Sequence, residues 1–269
     1  MAEIAQHKPV THRWWFRAVL LVLFMLPAIT EFSYDPANTT VVIQSVLAEP
    51  FVVAFPELLP LAKFLLGVAV VLPFLGIVQA GRILLGYYAS ILAVVSVLQN
   101  MAHTESWGFV WLVGNTVVQS VVVFWCVLDV AQHRSRLITL RPVRLWLLVP
   151  ILLALLMPYA VRDGAAVPAW HTMVVNEAGV TYCMITPLIL GTMLMFPAGA
   201  DHRTLSVASF VGMIFGLINL VVWFGLASHS WWMGVLHLPL VVIAIFGLIE
   251  ARVRRRNVGI DSVSSAAGV

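Results

Sequence analysis

Charged residues are scarce in this chain: Asp, Glu, Lys and Arg make up 10% of its 269 residues, whereas hydrophobic residues make up 61%. Soluble proteins are about 25% charged, so this chain has too few charged groups to cover a surface that faces water. Its mean hydropathy of +0.99 indicates lipid as the solvent. A backbone in lipid must pair its own polar groups, and the alternating strands of a membrane barrel are absent. The sequence therefore predicts an all-α integral membrane protein.

Sequence motifs of known chemistry are lacking as well. Two cysteines exclude a disulfide framework. A P-loop, a glycine-rich dinucleotide turn, a G-x-S-x-G elbow, an HExxH motif and a CxxC motif are all missing. The arginine cluster at 252–256 follows an apolar run, so it indicates an orientation anchor and lipid-headgroup contact rather than a nucleic-acid site. These absences favour a protein that is not an enzyme, although a metal- or haem-dependent membrane enzyme stays an alternative, and no nucleic-acid partner is expected.

Apolar runs of about 18–25 residues predict a compact bundle of about eight transmembrane helices. The predicted spans are 15–33, 58–79, 83–102, 108–130, 145–161, 179–197, 205–227 and 232–250. The connections are short, so consecutive helices should be antiparallel neighbours. The predicted parts are a cytoplasmic segment at 1–14, a single bundle at 15–251, and a cytoplasmic tail at 252–269 that is basic and then disordered.

The cations fix the predicted orientation. If the N-terminus lies inside, thirteen of the 15 Lys and Arg residues fall on the cytoplasmic side, and only Lys63 and Arg162 fall outside. Lys and Arg in short loops are held on the cytoplasmic side of a membrane. The sequence therefore predicts a multi-pass protein of a prokaryotic plasma membrane with both termini in the cytoplasm.

The apolar segment 41–57 tests this orientation. Counting it as a ninth span would reverse every later loop and move most of the arginines to the outer side. Pro50 and Pro56 would also interrupt a helix there, because proline lacks an N–H and clashes with the preceding turn. We therefore predict an interfacial or re-entrant helix on the outer face.

Ionisable side chains gather in the predicted outer turns and are expected to line a substrate-binding vestibule. They are His103, Glu105, His171, Glu177, His229 and His237. Imidazole with thioether suits copper, imidazole with carboxylate suits other transition metals, and imidazole pairs can hold haem. The alternative candidate metal ligands are therefore His103, His171, His229, His237, Met101, Met173 and Met233. A structural or pH-responsive histidine cluster without a metal is the other interpretation.

Amides occur inside the predicted spans. Asn115 and Gln119 lie four residues apart on the fourth span, and Asn219 lies on the seventh. They either hydrogen-bond to neighbouring helices or line a path that leads inward from the vestibule. The sequence His237-Leu238-Pro239 places an ionisable group beside a proline kink, a feature that transporters use to expose backbone groups.

These patterns favour a transporter, or a subunit of a transport complex, for a small molecule or ion whose site opens to the outer face. One alternative is a membrane enzyme or redox subunit that uses a metal or haem at the outer cluster, and another is a non-catalytic scaffold or sensor. Besides the lipid bilayer, the candidate partners are another subunit of a membrane complex and a second copy of this chain. Ala208, Gly212 and Gly216 have the small-residue spacing of a helix contact, within the chain or between two copies of it.

Overall fold

The computed structural model describes residues 9–137, 144–162, 165–196, 199–226, 228 and 231–267. It is 76% helical, which confirms the predicted helical class. The described residues form nine α-helices: α1 (Trp14–Phe24), α2 (Thr39–Ala48), α3 (Leu59–Val71), α4 (Ala80–Leu98), α5 (Val113–Gln132), α6 (Leu148–Leu156), α7 (Tyr182–Met195), α8 (His202–Val221) and α9 (Trp231–Ala267). They also form five short strands: β1 (Ile29–Thr30), β2 (Met101–Thr104), β3 (Gly108–Trp111), β4 (Tyr159–Arg162) and β5 (Ala165–Pro168).

Five helical segments are long and apolar enough to cross a membrane. They are Pro56–Leu75, Ala80–Leu98, Val113–Gln132, His202–Leu226 and Trp231–Arg256. Three further apolar segments are shorter: Trp14–Phe24, Leu145–Leu156 and Tyr182–Met195. Large apolar side chains such as Phe64, Val127 and Ile245 are exposed on the bundle, as lipid-facing residues would be. The chain is therefore an integral membrane protein, and the number of spans stays a prediction.

The bundle has two dissimilar ends, and the eight described helices other than α2 run between them. We call the end that carries the five strands and α2 the hairpin end. There, α7 begins beside the end of α4, and α8 ends beside the start of α7. We call the opposite end, where α1 and α8 begin and Arg144 and Arg254 lie, the basic end. Successive helices in this set therefore alternate in direction.

Buried carboxylates organise the basic end. Glu250 of α9 accepts a hydrogen bond from Arg254 at 3.0 Å and another from Arg144 at 2.9 Å. Asp129 of α5, which is 1% exposed, accepts hydrogen bonds from the backbone and the hydroxyl of Ser135, both at 2.8 Å. The Glu250 contacts tie α9 to a residue that precedes α6, and the Asp129 contacts tie α5 to the segment that follows it.

Helices α8 and α9 approach closely because small residues line their contact. Gly212 faces Leu240, and Gly216 faces Val241 so closely that a Cβ at position 216 would lie 2.6 Å from Val241 Cγ2. Ala208, one turn earlier, is buried as well. The small-residue face identified in the sequence is therefore covered, in this chain, by α9.

A β-hairpin forms between α4 and α5, where the sequence analysis predicted only helix ends and a turn. Strand β3 pairs with β2 on one side and with β1 on the other, all antiparallel. Gly108 has a φ of +61°, a conformation that glycine adopts without steric cost and that turns the chain into β3. Ala102 and Val110 point inward, and α2 covers them with Val42 and Val46. Strands β4 and β5 form a second hairpin.

Several predicted boundaries were wrong: two helices end earlier than predicted, one segment is divided, and the last helix continues further. The predicted span 15–33 is helical only to Phe24 and continues into β1, and the span 145–161 is helical only to Leu156 and continues into β4. Segment 41–57 is not one helix, since α2 ends at Ala48 and a short 3-10 helix, Phe51–Val53, follows. Helix α9 continues to Ala267, through the segment for which a disordered tail was predicted.

Candidate functional site

Helix α8 changes its hydrogen-bond pattern as it reaches the hairpin end. Val222–Leu226 continues it as a π-helix, a rare form that occurs mostly as single turns and often at functional sites. Just before this turn, Asn219 donates a hydrogen bond to the thiol of Cys183 at 3.6 Å. The Asn219 side-chain oxygen accepts one from the indole N–H of Trp223 at 3.3 Å. Asn219 thus connects α8 with α7 beside the irregular turn.

Helix α9 is irregular in the same region. His237 Nδ1 lies 2.7 Å from the carbonyl oxygen of Met233, and the His237 ring stacks on Trp223 with centroids 6.4 Å apart. A carbonyl only accepts, so the neutral ring carries its proton on Nδ1 and presents the lone pair of Nε2. Among the described residues, Nε2 makes no hydrogen bond. Two residues later, Pro239 has no N–H to donate to the carbonyl of Val235.

A tyrosine and a carboxylate extend this polar region from α7 into the loops. Tyr159 of β4 donates its hydroxyl hydrogen bond to Glu177, which lies just before α7. Tyr159 is also within electrostatic reach of Cys183. Burial raises the pKa of Glu177, and the hydrogen bond from Tyr159 opposes this by a smaller amount. The carboxyl group of Glu177 is therefore easier to protonate than one in water.

We call this series of neighbouring side chains the polar track. Its members are Glu177, Tyr159, Cys183, Asn219, Trp223 and His237. Tyr159, Cys183 and His237 are buried, whereas the other three are partly exposed. The track offers hydrogen-bond donors, acceptors and an aromatic surface, with a group that can exchange protons at each end. Such a lining can hold a small polar molecule or an ion.

The other predicted vestibule residues lie apart from this track. His103 on β2 and Glu105 in the turn after it are exposed, and so is His171 in the loop between β5 and α7. His229 lies outside the described residues. Of the ionisable residues chosen from the sequence, the structure joins Glu177 and His237 through the track.

The predicted metal ligands are not gathered around one point in the described part of the chain. There, no group of three or more His, Cys, Asp or Glu is arranged so that it could hold a metal ion. Met101 is half-buried on β2. The backbone oxygens of Met173 and Met233 accept hydrogen bonds from Lys63 and His237. A copper, other metal or haem site stays a prediction.

The two predicted amides of α5 belong to a separate polar contact. Gln119 is 1% exposed, and its side-chain oxygen accepts a hydrogen bond from Asn100, just after α4, at 3.3 Å. Asn115, one helical turn earlier, is half-buried. These amides therefore lie between α4 and α5, whereas Asn219 lies in the polar track.

A second polar cluster at the hairpin end is centred on Lys63 and was missed in the sequence. The Lys63 ammonium group, in a side chain that is 7% exposed, donates to the carbonyls of Leu156 and Met173 and, at 2.7 Å, to the side-chain oxygen of Asn176. These three acceptors use all three of its N–H groups. The only sign of this cluster in the sequence was a single lysine inside an apolar run. Lys63 thus binds a carbonyl at the end of α6, and its ammonium group has no N–H left for a ligand.

Three members of the polar track, Tyr159, Cys183 and Trp223, were also missed. Trp223 follows Asn219 by four residues, so helical periodicity could have placed the two on one face. Tyr159 gave no such signal, because it reaches Glu177 only through the turn of the chain into β4.

A scan against protein-family models and searches of curated proteins and of solved structures found no match to this chain. What the protein binds must therefore be reasoned from its own residues. In the described structure, the polar track is where predicted polar residues from two helices and a loop meet.

Proposed function

We propose that all eight helices that run between the two ends cross the membrane, with both termini in the cytoplasm of a prokaryotic cell. The clustering of arginines at the basic end supports this orientation, because anionic lipid and the membrane potential favour cations on the cytoplasmic side. The hairpin end then faces outward. Accessibility mapping of tags tests this topology: a tag within 131–144 should be reached only from the cytoplasm, and labelling from outside would overturn the proposal.

We further propose that the protein is a transporter, or a subunit of a transport complex, that binds a small molecule or ion in the polar track. The observation that carries this proposal is the π-turn of α8 beside Pro239 of α9. In that region both helices lose regular backbone hydrogen bonds, and Asn219, Trp223 and His237 converge there. Irregular backbone in a membrane helix is tolerated where it is buried in protein or lines a cavity.

The remaining predicted residues fit around this centre as parts of the proposed entrance. His103, Glu105 and His171 are exposed at the hairpin end, where they would meet a substrate first. His229 is proposed to join them. Asn115 and Gln119 are proposed to line a path inward beside α4, although Gln119 already accepts a hydrogen bond from Asn100. A substrate there would have to replace that bond.

The two cysteines provide a test of the proposed outward path that needs no known substrate. Cys183 lies in the track, whereas Cys126 is buried in α5 toward the basic end. In intact cells, a charged maleimide that cannot cross the membrane should label Cys183 in a Cys126→Ala variant and leave Cys126 unlabelled in a Cys183→Ala variant. Mass spectrometry after denaturation measures both. Equal protection of the two thiols until denaturation would contradict a path from outside.

Binding is tested by native mass spectrometry of the full-length protein purified from its own membrane. A co-purified small molecule or ion should be retained in the wild type and lost in Asn219→Ala and His237→Ala variants. Glu49→Ala is the matched control, because Glu49 is exposed at the end of α2, outside the track. Retention of the same species by all variants would show that it binds elsewhere.

A further inference from the structure

Three segments that are distant in sequence meet at one corner of the basic end. The turn before α1 lies against the start of α8, where Ser206 donates a hydrogen bond to the carbonyl of Thr11 at 3.2 Å. In the same place, His12 Nε2 lies 3.3 Å from His202 Nδ1, and the two rings meet edge to face. Arg255, near the basic end of α9, is within electrostatic reach of both histidines. The corner therefore combines α1, α8 and α9.

The charges at this corner are almost all positive. Arg17 of α1 is within electrostatic reach of Arg252 and Arg255, and its guanidinium lies over the ring of Phe210, 5.4 Å from the centroid. In the described part of the chain, these three arginines form no ion pair with a carboxylate. The nearby Arg254 differs, because Glu250 binds it. The charges of Arg17, Arg252 and Arg255 are therefore not neutralised by an ion pair in the described structure.

Asp201, a carboxylate close to this corner, already accepts other hydrogen bonds. Asp201 is within electrostatic reach of His202. However, Asp201 accepts hydrogen bonds from the first backbone N–H groups of α8, those of Arg203 and Thr204, both at 3.2 Å. It also lies 4.0 Å from a guanidinium nitrogen of Arg134. Asp201 therefore acts as the N-cap of α8 and, within the described structure, leaves the arginines at 17, 252 and 255 without a carboxylate.

Two buried polar atoms at this corner lack an acceptor or donor. Arg17 Nε and Thr11 Oγ1 make no hydrogen bond with any described residue. Buried donors are nearly always paired in proteins, because an unpaired one loses its interaction with water and gains nothing. Unpaired donors beside unneutralised arginines are what an anion with several oxygen atoms would satisfy.

We propose that this corner is a binding site for a phosphate group, formed by Arg17, Arg252 and Arg255 with His12, His202 and Thr11. We call it the phosphate corner. The phosphate belongs either to the headgroup of an anionic lipid or to a soluble phosphorylated molecule, since both present the same oxygens. The site lies at the end of the bundle opposite the polar track, so it is independent of the transport proposal.

Phosphate binding at this corner should strengthen as the pH falls. The close contact of two imidazoles is compatible with at most one proton between them, and burial, His202, Arg255 and Arg17 lower the pKa of His12 to about 4. A bound anion opposes the repulsion from Arg255, Arg17 and Arg203 and so raises the pKa of the histidines above the value in the empty site. Proton uptake and phosphate binding then favour each other.

The site is tested with full-length protein in lipid nanodiscs. Thermal stability is compared in phosphatidylcholine alone, in phosphatidylcholine with added inorganic phosphate, and in phosphatidylcholine mixed with phosphatidylglycerol. Arg17→Gln and Arg255→Gln are the test variants, and Arg255→Gln covers the case in which loss of Arg17 from Phe210 disturbs folding. Arg82→Gln is the control, because Arg82 is an exposed cation at the same end of the bundle.

Stabilisation by inorganic phosphate supports a soluble phosphorylated ligand, and stabilisation by phosphatidylglycerol alone supports a lipid headgroup. In either case, both test variants should bind the stabilising probe about tenfold more weakly than the wild type, which is the usual effect of losing a hydrogen bond to a charged group. Arg82→Gln should bind it as the wild type does. The proposal is overturned if neither probe stabilises the wild type, or if Arg82→Gln weakens binding as much as the test variants do.

Discussion

The two ends of this bundle are held together by different kinds of interaction. At the basic end, carboxylates pair with cations: Glu250 binds Arg254 of its own helix and Arg144 just before α6. At the hairpin end, the one buried cation described, Lys63, binds carbonyl and amide oxygens and has no carboxylate partner. Cations are numerous at the basic end, so burying some of them requires carboxylates. The hairpin end buries few charges and is shaped by backbone hydrogen bonds instead.

Helices α8 and α9 also pack differently along their length. Around the middle of the bundle, α8 and α9 approach closely through Gly212 and Gly216. Towards the hairpin end, α8 forms its π-turn and Gly234 of α9 makes room for the ring of Phe224. A tightly packed contact resists change, whereas the irregular part can rearrange its side chains. Ligand exchange is therefore expected at the hairpin end, and rigidity where the two glycines lie.

Removing the central carboxylate of the basic end should have the largest effect on stability. Glu250→Ala leaves Arg254 buried without its partner, and breaking a buried ion pair in this way costs about 3–5 kcal/mol. Denaturation of the purified protein in detergent measures the free energy of unfolding. The exposed carboxylate of Glu49 is the control, and Glu49→Gln should leave stability unchanged. If Glu250→Ala lowers the free energy of unfolding no more than Glu49→Gln does, the described difference between the two ends is wrong.

Removing the cation at the hairpin end should cost less. Lys63→Met removes the buried charge together with the donors to Leu156, Met173 and Asn176, so relief of charge burial offsets part of the lost hydrogen bonding, and we expect a loss of about 2 kcal/mol. Hydrogen exchange should rise mainly in the loop before α7. Leu61→Met, an exposed change on the same helix, is the control. An equal loss at both ends would mean that the two ends do not differ as described.

The close contact of α8 and α9 gives a prediction with a matched glycine control. Gly216→Ala would place a Cβ against Val241, and overpacking of this kind costs about 1–2 kcal/mol. A Cβ at Gly86 on α4 would meet no atom within 4 Å, so Gly86→Ala should stabilise the helix slightly. Thermal unfolding of both variants tests this, and stabilisation by both would show that α8 and α9 are not tightly packed.

The smallest predicted effect concerns pH and the polar track. Burial raises the pKa of Glu177, so the folded state favours the protonated carboxyl group. This contribution to stability is present below the unfolded-state pKa and is lost as the pH rises through the raised folded-state pKa. The melting temperature of the wild type should therefore fall more steeply from acidic to neutral pH than that of Glu177→Gln. Parallel pH profiles would indicate that Glu177 is accessible to water.

The sequence predicted the helices better than the connections. Span 113–132 appears nearly where the apolar run lies, because a continuous run of that length has no alternative to a helix in lipid. The hairpin of β2 and β3 was missed because its residues are also apolar and directly adjoin two such runs. Gly108 was a local sign in the sequence that the chain turns there.

The candidate site was predictable only in part, for a related reason. Asn219 and His237 stand out as polar groups inside apolar helices, which is a property of the sequence alone. Their connection with Cys183, Tyr159 and Glu177 depends on how α7, β4 and the intervening loop fold back, and no spacing encodes that. Likewise, the phosphate corner joins residues that are far apart in the sequence, such as His12 and His202, which are 190 residues apart.

The shortness of α6 has a consequence for the surrounding lipid. With its preceding turn it covers Leu145–Leu156, and twelve residues rise only about 18 Å, against a hydrocarbon thickness of about 30 Å. Val149 and Leu152 are exposed, so acyl chains would contact this helix directly if it crosses the membrane as proposed. The bilayer would then have to become thinner along that flank, or the helix would have to be flanked by shorter lipids. The protein should therefore gather short-chain lipids on one side and deform the bilayer asymmetrically around itself.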